Sequence, residues 1–236
     1  MLLSDFFTAI QSSELESLVI GNRNGNGIEA ADYPKLVSHI NLGLTALHTR
    51  LLLREEEVFL QQYDHIQLYQ LHPRYALTNT TSTEPTKYIV DSVFQPFLGN
   101  VLKIEQVFSE IGVEYPINDQ TNRLSVHTPR FDTLQVPFAA TPNALSVLYR
   151  ANHPKLSVGV GFDPTQVELE IPDAVTEALL LYVGVRAFTA NGSENSKNDV
   201  NLLLSRYELA CQRLENLDLL HSSGNANLRM RDKGWV

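Results

Sequence analysis

Between Val167 and Leu220 the apolar positions change period once, marking out an extended segment followed by two helices. Val167, Leu169 and Ile171 alternate with Glu168 and Glu170, the period-two pattern of a strand. Beyond Pro172, the residues Ala174, Ala178, Leu181, Val185 and Phe188 recur at spacings of four and three, one face of a 3.6-residue helix. Pro172 suits a first helical turn, where its missing N–H costs nothing, and Asp173 and Glu177 favour the positive end of the helix dipole. Asn191–Gly192–Ser193 then supplies a stop. The next stretch places Val200, Leu203, Tyr207, Ala210, Leu214 and Leu217 at alternating spacings of three and four, an apolar seam of coiled-coil type. Two such helices joined by a short polar segment predict an antiparallel hairpin. Its packing seam is expected at Leu181, Val185, Leu203, Tyr207, Ala210 and Leu214.

Helical periods return at the start of the chain. Ser4 and Asp5 can cap a short helix carrying Leu3, Phe6, Phe7 and Ile10, with Leu15 and Leu18 extending its apolar surface. Residues 21–27, GNRNGNG, break the pattern as a turn or loop. They lack the Lys-Ser/Thr of a phosphate-binding P-loop and the flanking strand of a dinucleotide fingerprint. A second helix starts near Asp32, Tyr33 and Pro34 and carries the stripe Leu36, Ile40, Leu44, Leu47 and Leu51. Gly43 inside that stripe predicts close approach of another helix, one of the C-terminal pair being the candidate.

After Arg54 the period becomes two. Alternation around Ile66–Leu71 continues in Val101–Val107, Leu124–Val126, Leu134–Phe138, Leu145–Ala151 and Val167–Ile171. All of the 11 prolines but Pro34 lie between residues 73 and 172, which excludes long helices there, apart from a short one around Tyr88–Leu98. Thr78–Thr86 reads as a polar loop able to meet a neighbouring subunit. The expected fold class is α+β: a helical bundle from the N- and C-terminal segments, with a β-rich insertion of sandwich or barrel type between them. The parts are 1–54, N-terminal helices; 55–170, the insertion; 171–221, the helical hairpin; and 222–236, an extended docking tail. In that tail Ser222–Gly224 forms a joint, and Leu228, Arg229, Met230, Arg231, Lys233 and Trp235 make a basic strand tipped with the only tryptophan.

Composition narrows the function without supplying chemistry. The hydrophobic fraction of 43% and charged fraction of 19% are those of an ordinary globular protein. A formal net charge of −9 argues against nucleic-acid binding by the chain as a whole, though not against a protein that DNA passes without sticking. The single Cys211 rules out an intrachain disulfide or thiolate cluster and reads as a buried structural thiol. No apolar run is long enough for a transmembrane helix, and the start lacks the pattern of a signal peptide. The protein is therefore expected to stay in the compartment where it is made. No Gly-x-Ser-x-Gly turn is present, and His39 and His48 are nine residues apart on one helix. His65 and His72 fall on opposite sides of an uninterrupted strand, so no metal site is expected. Glu55, Glu56 and Glu57 read as a solvated charge run at a helix-to-strand junction rather than an acid–base pair. The expectation is a protein without catalytic, cofactor or metal residues.

A resemblance supplies a more specific reading. EIPDAVTEALLLYVGVRAF with NDVNLLLSRYELACQRLE resembles the helical core of head-to-tail adaptor proteins of tailed phages, the connector or tail tubular A type of podovirus-like virions. LLSDFFTAI with DYPKLVSHINLGLTALHTRLLL, and the ending NLRMRDKGWV, agree in order, so that about half the chain takes part. The resemblance implies a structural ring, dodecameric in that family, in the virion neck after assembly in the host cytoplasm. It implies a portal protein on one face, a tail nozzle or tail-tube protein on the other, and DNA passing through the channel without specific binding or membrane contact. Glu55, Glu56 and Glu57 are then the candidates for a channel-facing surface, and the tail is the candidate portal-docking element. The alternative is a receptor- or glycan-binding β-domain module on a helical base, for which Tyr63, Tyr69, Tyr75 and Phe131 are available.

Overall fold

The structure, a computed structural model, describes residues 1–12, 28–137, 143–191 and 196–217. Helices and antiparallel sheets make the fold α+β. The chain divides into two compact units, Met1–Leu53 with His153–Val236, and Arg54–Asn152. The β-rich unit therefore ends at Asn152, not near residue 170 as alternation suggested. Side chains explain the correction. Asn41 and Leu156 exchange two hydrogen bonds, Asn41 Nδ2–H to the Leu156 carbonyl at 2.8 Å and the Leu156 N–H to Asn41 Oδ1 at 2.9 Å. The Glu170 N–H donates to His153 Nε2 at 3.1 Å, and Leu156, Val158 and Phe162 pack on the helical core.

In the helical unit, α1 (Leu3–Ser12) buries Leu3, Phe6, Phe7 and Ile10. It starts at Leu3, so Ser4 and Asp5 lie in its first turn and are not its cap. The predicted strand Val167–Ile171 forms no sheet strand. It makes one antiparallel bridge, Leu2 to Glu168, with the Leu3 N–H donating to the Val167 carbonyl at 2.8 Å. Helix α2 (Tyr33–Arg50) has Asp32 as N-cap and Pro34 in its first turn, where proline is tolerated. Its predicted stripe is buried in full, from Leu36 to Leu51. The apolar core also holds residues of α3 (Thr176–Asn191) and α4 (Ser196–Asn216). On α4, Leu203, Tyr207, Ala210 and Leu214 are buried as the seam predicted, with Cys211 beside them, whereas Leu217 is exposed. On α3 the predicted face is rotated. Val175 just before it, then Ala178, Leu179, Val183 and Ala187, are buried, while Ala174 is exposed and Leu181 and Val185 are only half-buried. Helix α3 packs against both α2 and α4, so it is apolar on more than one side and its period alone does not select the inner face.

The β unit holds β1 (Glu55–Gln61), β2 (Leu68–Gln70), β3 (Ile89–Val90), β4 (Val101–Ser109), β5 (Glu114–Tyr115), β6 (His127–Arg130), β7 (Thr133–Gln135) and β8 (Ala144–Ala151). Five of them form an antiparallel sheet in the order β3-β1-β8-β4-β5, and three form another in the order β2-β7-β6. Alternation places Val58 and Leu60 of β1, and Leu145, Val147 and Tyr149 of β8, in one apolar core with Tyr69 of β2 and Leu134 of β7. The helix expected around Tyr88–Leu98 is absent. Ile89 and Val90 pair with β1, and Ser92–Gln95 closes a tight turn. The Asp91 carboxylate takes the Phe97 N–H at 3.0 Å and the Thr78 N–H at 3.0 Å, so a side chain, not a helical carbonyl, satisfies the backbone here. Thr78–Thr86 is likewise held locally, by Asn79 capping Thr81 and by Ser82 donating to the Arg74 carbonyl at 2.6 Å.

Candidate interaction surface

Strand β1 pairs with β8 over its whole length, from Glu55 opposite Arg150 to Gln61 opposite Ala144. On its other side it pairs with β3 only at Phe59 and Leu60. The chain then turns away at Asp91, so among the described residues no strand lies beside Glu56, Glu57 and Val58 there. Backbone groups alternate along a strand, and the Gln61 N–H donates to the Tyr88 carbonyl on that side at 2.8 Å. Glu57, four residues back, points its own N–H and C=O toward the same uncovered edge.

A cleft of about 290 Å³ occupies this gap. Val58, Phe97 and Tyr149 line its inner part, Glu57 and Phe59 its outer part, and Asp91 and Glu56 flank it. The three carboxylates differ in environment. Glu56 is tied into the fold: it accepts from Arg54 Nε at 2.6 Å and from the Tyr149 hydroxyl at 2.7 Å, with Asn100 Nδ2 at 3.3 Å from both its oxygens. Burial, then the bond to Glu56, pushes the Tyr149 hydroxyl pKa well above the usual tyrosine range. Asp91 is held below the usual carboxylate range; burial opposes ionisation, but hydrogen bonds from Thr78 and Phe97 outweigh it. Glu57 is exposed and accepts from the Ser146 hydroxyl. So the predicted charge run is not uniform: Glu56 is a structural anchor, and Glu57 is the member that faces solvent.

Beside the cleft, the turn after β3 carries Val93 at 83% and Phe94 at 100% exposure, and Val90, Phe59 and Leu98 are also exposed. Single exposed apolar residues are normal, but two at the tip of one tight turn, next to more on an adjoining edge, make an interaction patch. Of the aromatic residues available to a binding module, Tyr69 is buried and Tyr75 stacks on Tyr88 with ring centroids 4.6 Å apart. Phe131 and Tyr63 are exposed. Sequence reasoning missed Val93 and Phe94; their signal was a Ser-Val-Phe-Gln turn too apolar for an ordinary loop.

The His72 ring accepts the Arg74 N–H at 3.2 Å, and the His65 ring lies beside Tyr63 with centroids 5.8 Å apart. Among the described residues no group of three or more His, Cys, Asp or Glu is placed to hold a metal ion. Burial raises the pKa of the Cys211 thiol, which disfavours the thiolate a nucleophile needs. None of the described helices is long and apolar enough to cross a membrane. Leu15, Leu18, the loop 21–27, Phe138, the turn 192–193 and the tail Leu228, Arg229, Met230, Arg231, Lys233 and Trp235 lie outside the described residues. No protein-family model and no curated protein matches the chain.

Proposed function

We propose that the chain is a structural virion protein of the head-to-tail adaptor type, forming a ring between portal and tail and leaving a channel for DNA. The observation that carries this reading is the composition of the helical core. One apolar cluster takes Leu3 and Leu36 from the start of the chain and Leu179 and Leu203 from its later part, with Arg54–Asn152 interrupting them as a separate unit. A helical platform with an inserted β unit offers separate surfaces for self-assembly and for a tail protein. The role is non-catalytic in this reading, and it needs no cofactor. Native mass spectrometry of the purified protein, alone and mixed with portal rings, tests it. A closed ring, or ring formation on the portal, is the expected result; a monomer that ignores the portal would require a different function.

The apolar tip Val93–Phe94 favours a second reading, a tail-associated β-domain binding module on a helical base. Binding to receptor or glycan by the isolated monomer, lost in Phe94→Ser, would select it over the adaptor.

A further inference from the structure

We propose that the cleft beside the uncovered edge of β1 takes the Arg130–Phe131 hairpin tip of a second copy of this chain, joining neighbouring subunits through their β units. The chemistry of the cleft selects the occupant. Its rim carries the exposed carboxylate of Glu57, whose one hydrogen-bond partner among the described residues is the Ser146 hydroxyl, so it can still take a guanidinium. Asp91, alongside, is already engaged by Thr78 and Phe97. The inner wall is Val58, Phe97 and Tyr149, and the cleft volume is about 290 Å³. An apolar cavity of about 150 Å³ holds a benzene ring, so one phenylalanine side chain fits. A second β1 edge does not suit the cleft, because two such edges paired about their uncovered residues would set Glu57 against Glu57.

The tip supplies a cation and an aromatic ring as neighbours. Arg130 of β6 stands opposite Thr133 of β7, which leaves Phe131 and Asp132 as a two-residue turn. Asp132 is turned into its own subunit. Its carboxylate takes Gln70 Nε2–H at 3.1 Å and the Thr133 hydroxyl at 3.0 Å, and its carbonyl takes the Leu71 N–H at 2.7 Å. Arg130 and Phe131 are left exposed, Phe131 at 64%. Among the described residues no carboxylate pairs with Arg130. A turn pinned in this way keeps its shape, so little ordering opposes docking. In the contact Phe131 meets Val58, Phe97 and Tyr149 while Arg130 reaches Glu57, and the exposed Val93 and Phe94 beside the cleft add apolar surface. The tip belongs to the three-stranded sheet and the cleft to the five-stranded one, so each copy carries both halves at different places. Such a contact is heterologous and repeats from copy to copy until the assembly closes. It rests on the ring reading above and is the junction between neighbours in that ring.

Sedimentation velocity of the full-length protein, alone and with portal rings, tests the contact through charge reversal. Glu57→Arg and Arg130→Glu alter exposed positions outside both apolar cores, and each should weaken self-association roughly tenfold or more. Combining them in one chain should restore it. Mixing the two single variants should restore it as well, because each junction then joins opposite charges again. Phe131→Ser should also weaken association, by an amount that salt does not change. Assembly untouched by both single reversals overturns the contact and leaves the ring reading standing. Assembly lost in the single variants and rescued by neither the double variant nor the mixture overturns the contact too, since the two charges would then act elsewhere. Charge-rescued assembly into open chains keeps the contact and overturns the ring. A wild-type protein that stays monomeric, alone and with portal rings, overturns both.

Discussion

Gly43 of α2 faces Leu179 of α3 so closely that a Cβ on Gly43 would lie 2.7 Å from Leu179 Cδ1 and 3.0 Å from Tyr182 Cδ1. Leu179 is fully buried and has little room to swing away. A larger side chain at 43 therefore has to separate the helices or force Leu179 off its rotamer. Gly43→Val should cost roughly 1–3 kcal/mol of stability despite valine's better helix propensity. Thermal and urea unfolding measure it; a Tm equal to wild type would mean that the α2–α3 contact yields freely.

Leu203, Tyr207, Ala210 and Leu214 line the inner side of α4, and Leu203 is 5% exposed. Leu203→Ala should lose about 2–5 kcal/mol through removed apolar contact and the space left behind. Leu203→Asp goes further by burying an unpaired charge and should leave the helical unit unfolded. A soluble Leu203→Asp protein with full helical circular dichroism and unchanged melting would show that α4 packs through a different face.

The ties of Asp91 to Thr78 and Phe97 hold the turn that presents Val93 and Phe94. Its folded pKa lies below its unfolded value, which is about 3.9 for aspartate. The stabilisation is therefore present above roughly pH 4 and is lost as pH falls through the folded value. Asp91→Asn should flatten the acid limb of stability below about pH 4. Asp91→Ala should cost roughly 1–3 kcal/mol at neutral pH by leaving two partly buried N–H groups without their acceptor. An acid limb unchanged in Asp91→Asn would assign that limb to other carboxylates.

The long single-faced patterns were readable because one partner surface decided them. The stripe Leu36–Leu51 and the α4 seam each face one core, and period alone places them. Helix α3 meets two neighbours, so leucine and valine occur around most of it and the choice of Leu181 and Val185 as inner positions missed by part of a turn. The alternation of Val101–Val107 and Leu145–Ala151 identified β4 and β8, since each buries one face. VELEI alternates as well, but its partner is a single bridge to Leu2, a pairing across most of the chain that spacing does not reveal. The cleft was legible only in parts. Glu55–Glu57 stood out as charge, yet the coupling of Glu56 to Arg54, Asn100 and Tyr149 depends on strand register. The uncovered edge depends on β3 being two residues long, which no local pattern predicted.

The ion pairs of Arg50 predict a small effect. Its guanidinium donates to Glu208 at 2.6 Å and Glu215 at 2.7 Å, residues seven apart on one side of α4, and these bonds raise its pKa. Both glutamates are more than 40% exposed, so water and salt screen the attraction. Arg50→Met should cost no more than about 1 kcal/mol, and the difference from wild type should shrink in high salt. A loss of several kcal/mol that salt does not alter would mean that the guanidinium and its two carboxylates form an ordered network shielded from solvent.

The adaptor reading gives Asn225–Val236 a partner, the portal. A ring presents one copy of the segment per subunit, so contacts that are weak singly sum to a stable joint when many engage one portal together. Deleting Asn225–Val236 keeps every described residue of the two apolar cores, so the truncated protein should fold with unchanged melting. It should fail to co-sediment with portal rings that the full-length protein binds. Equal portal binding by truncated and full-length protein would remove the segment from attachment and leave docking to the helical platform.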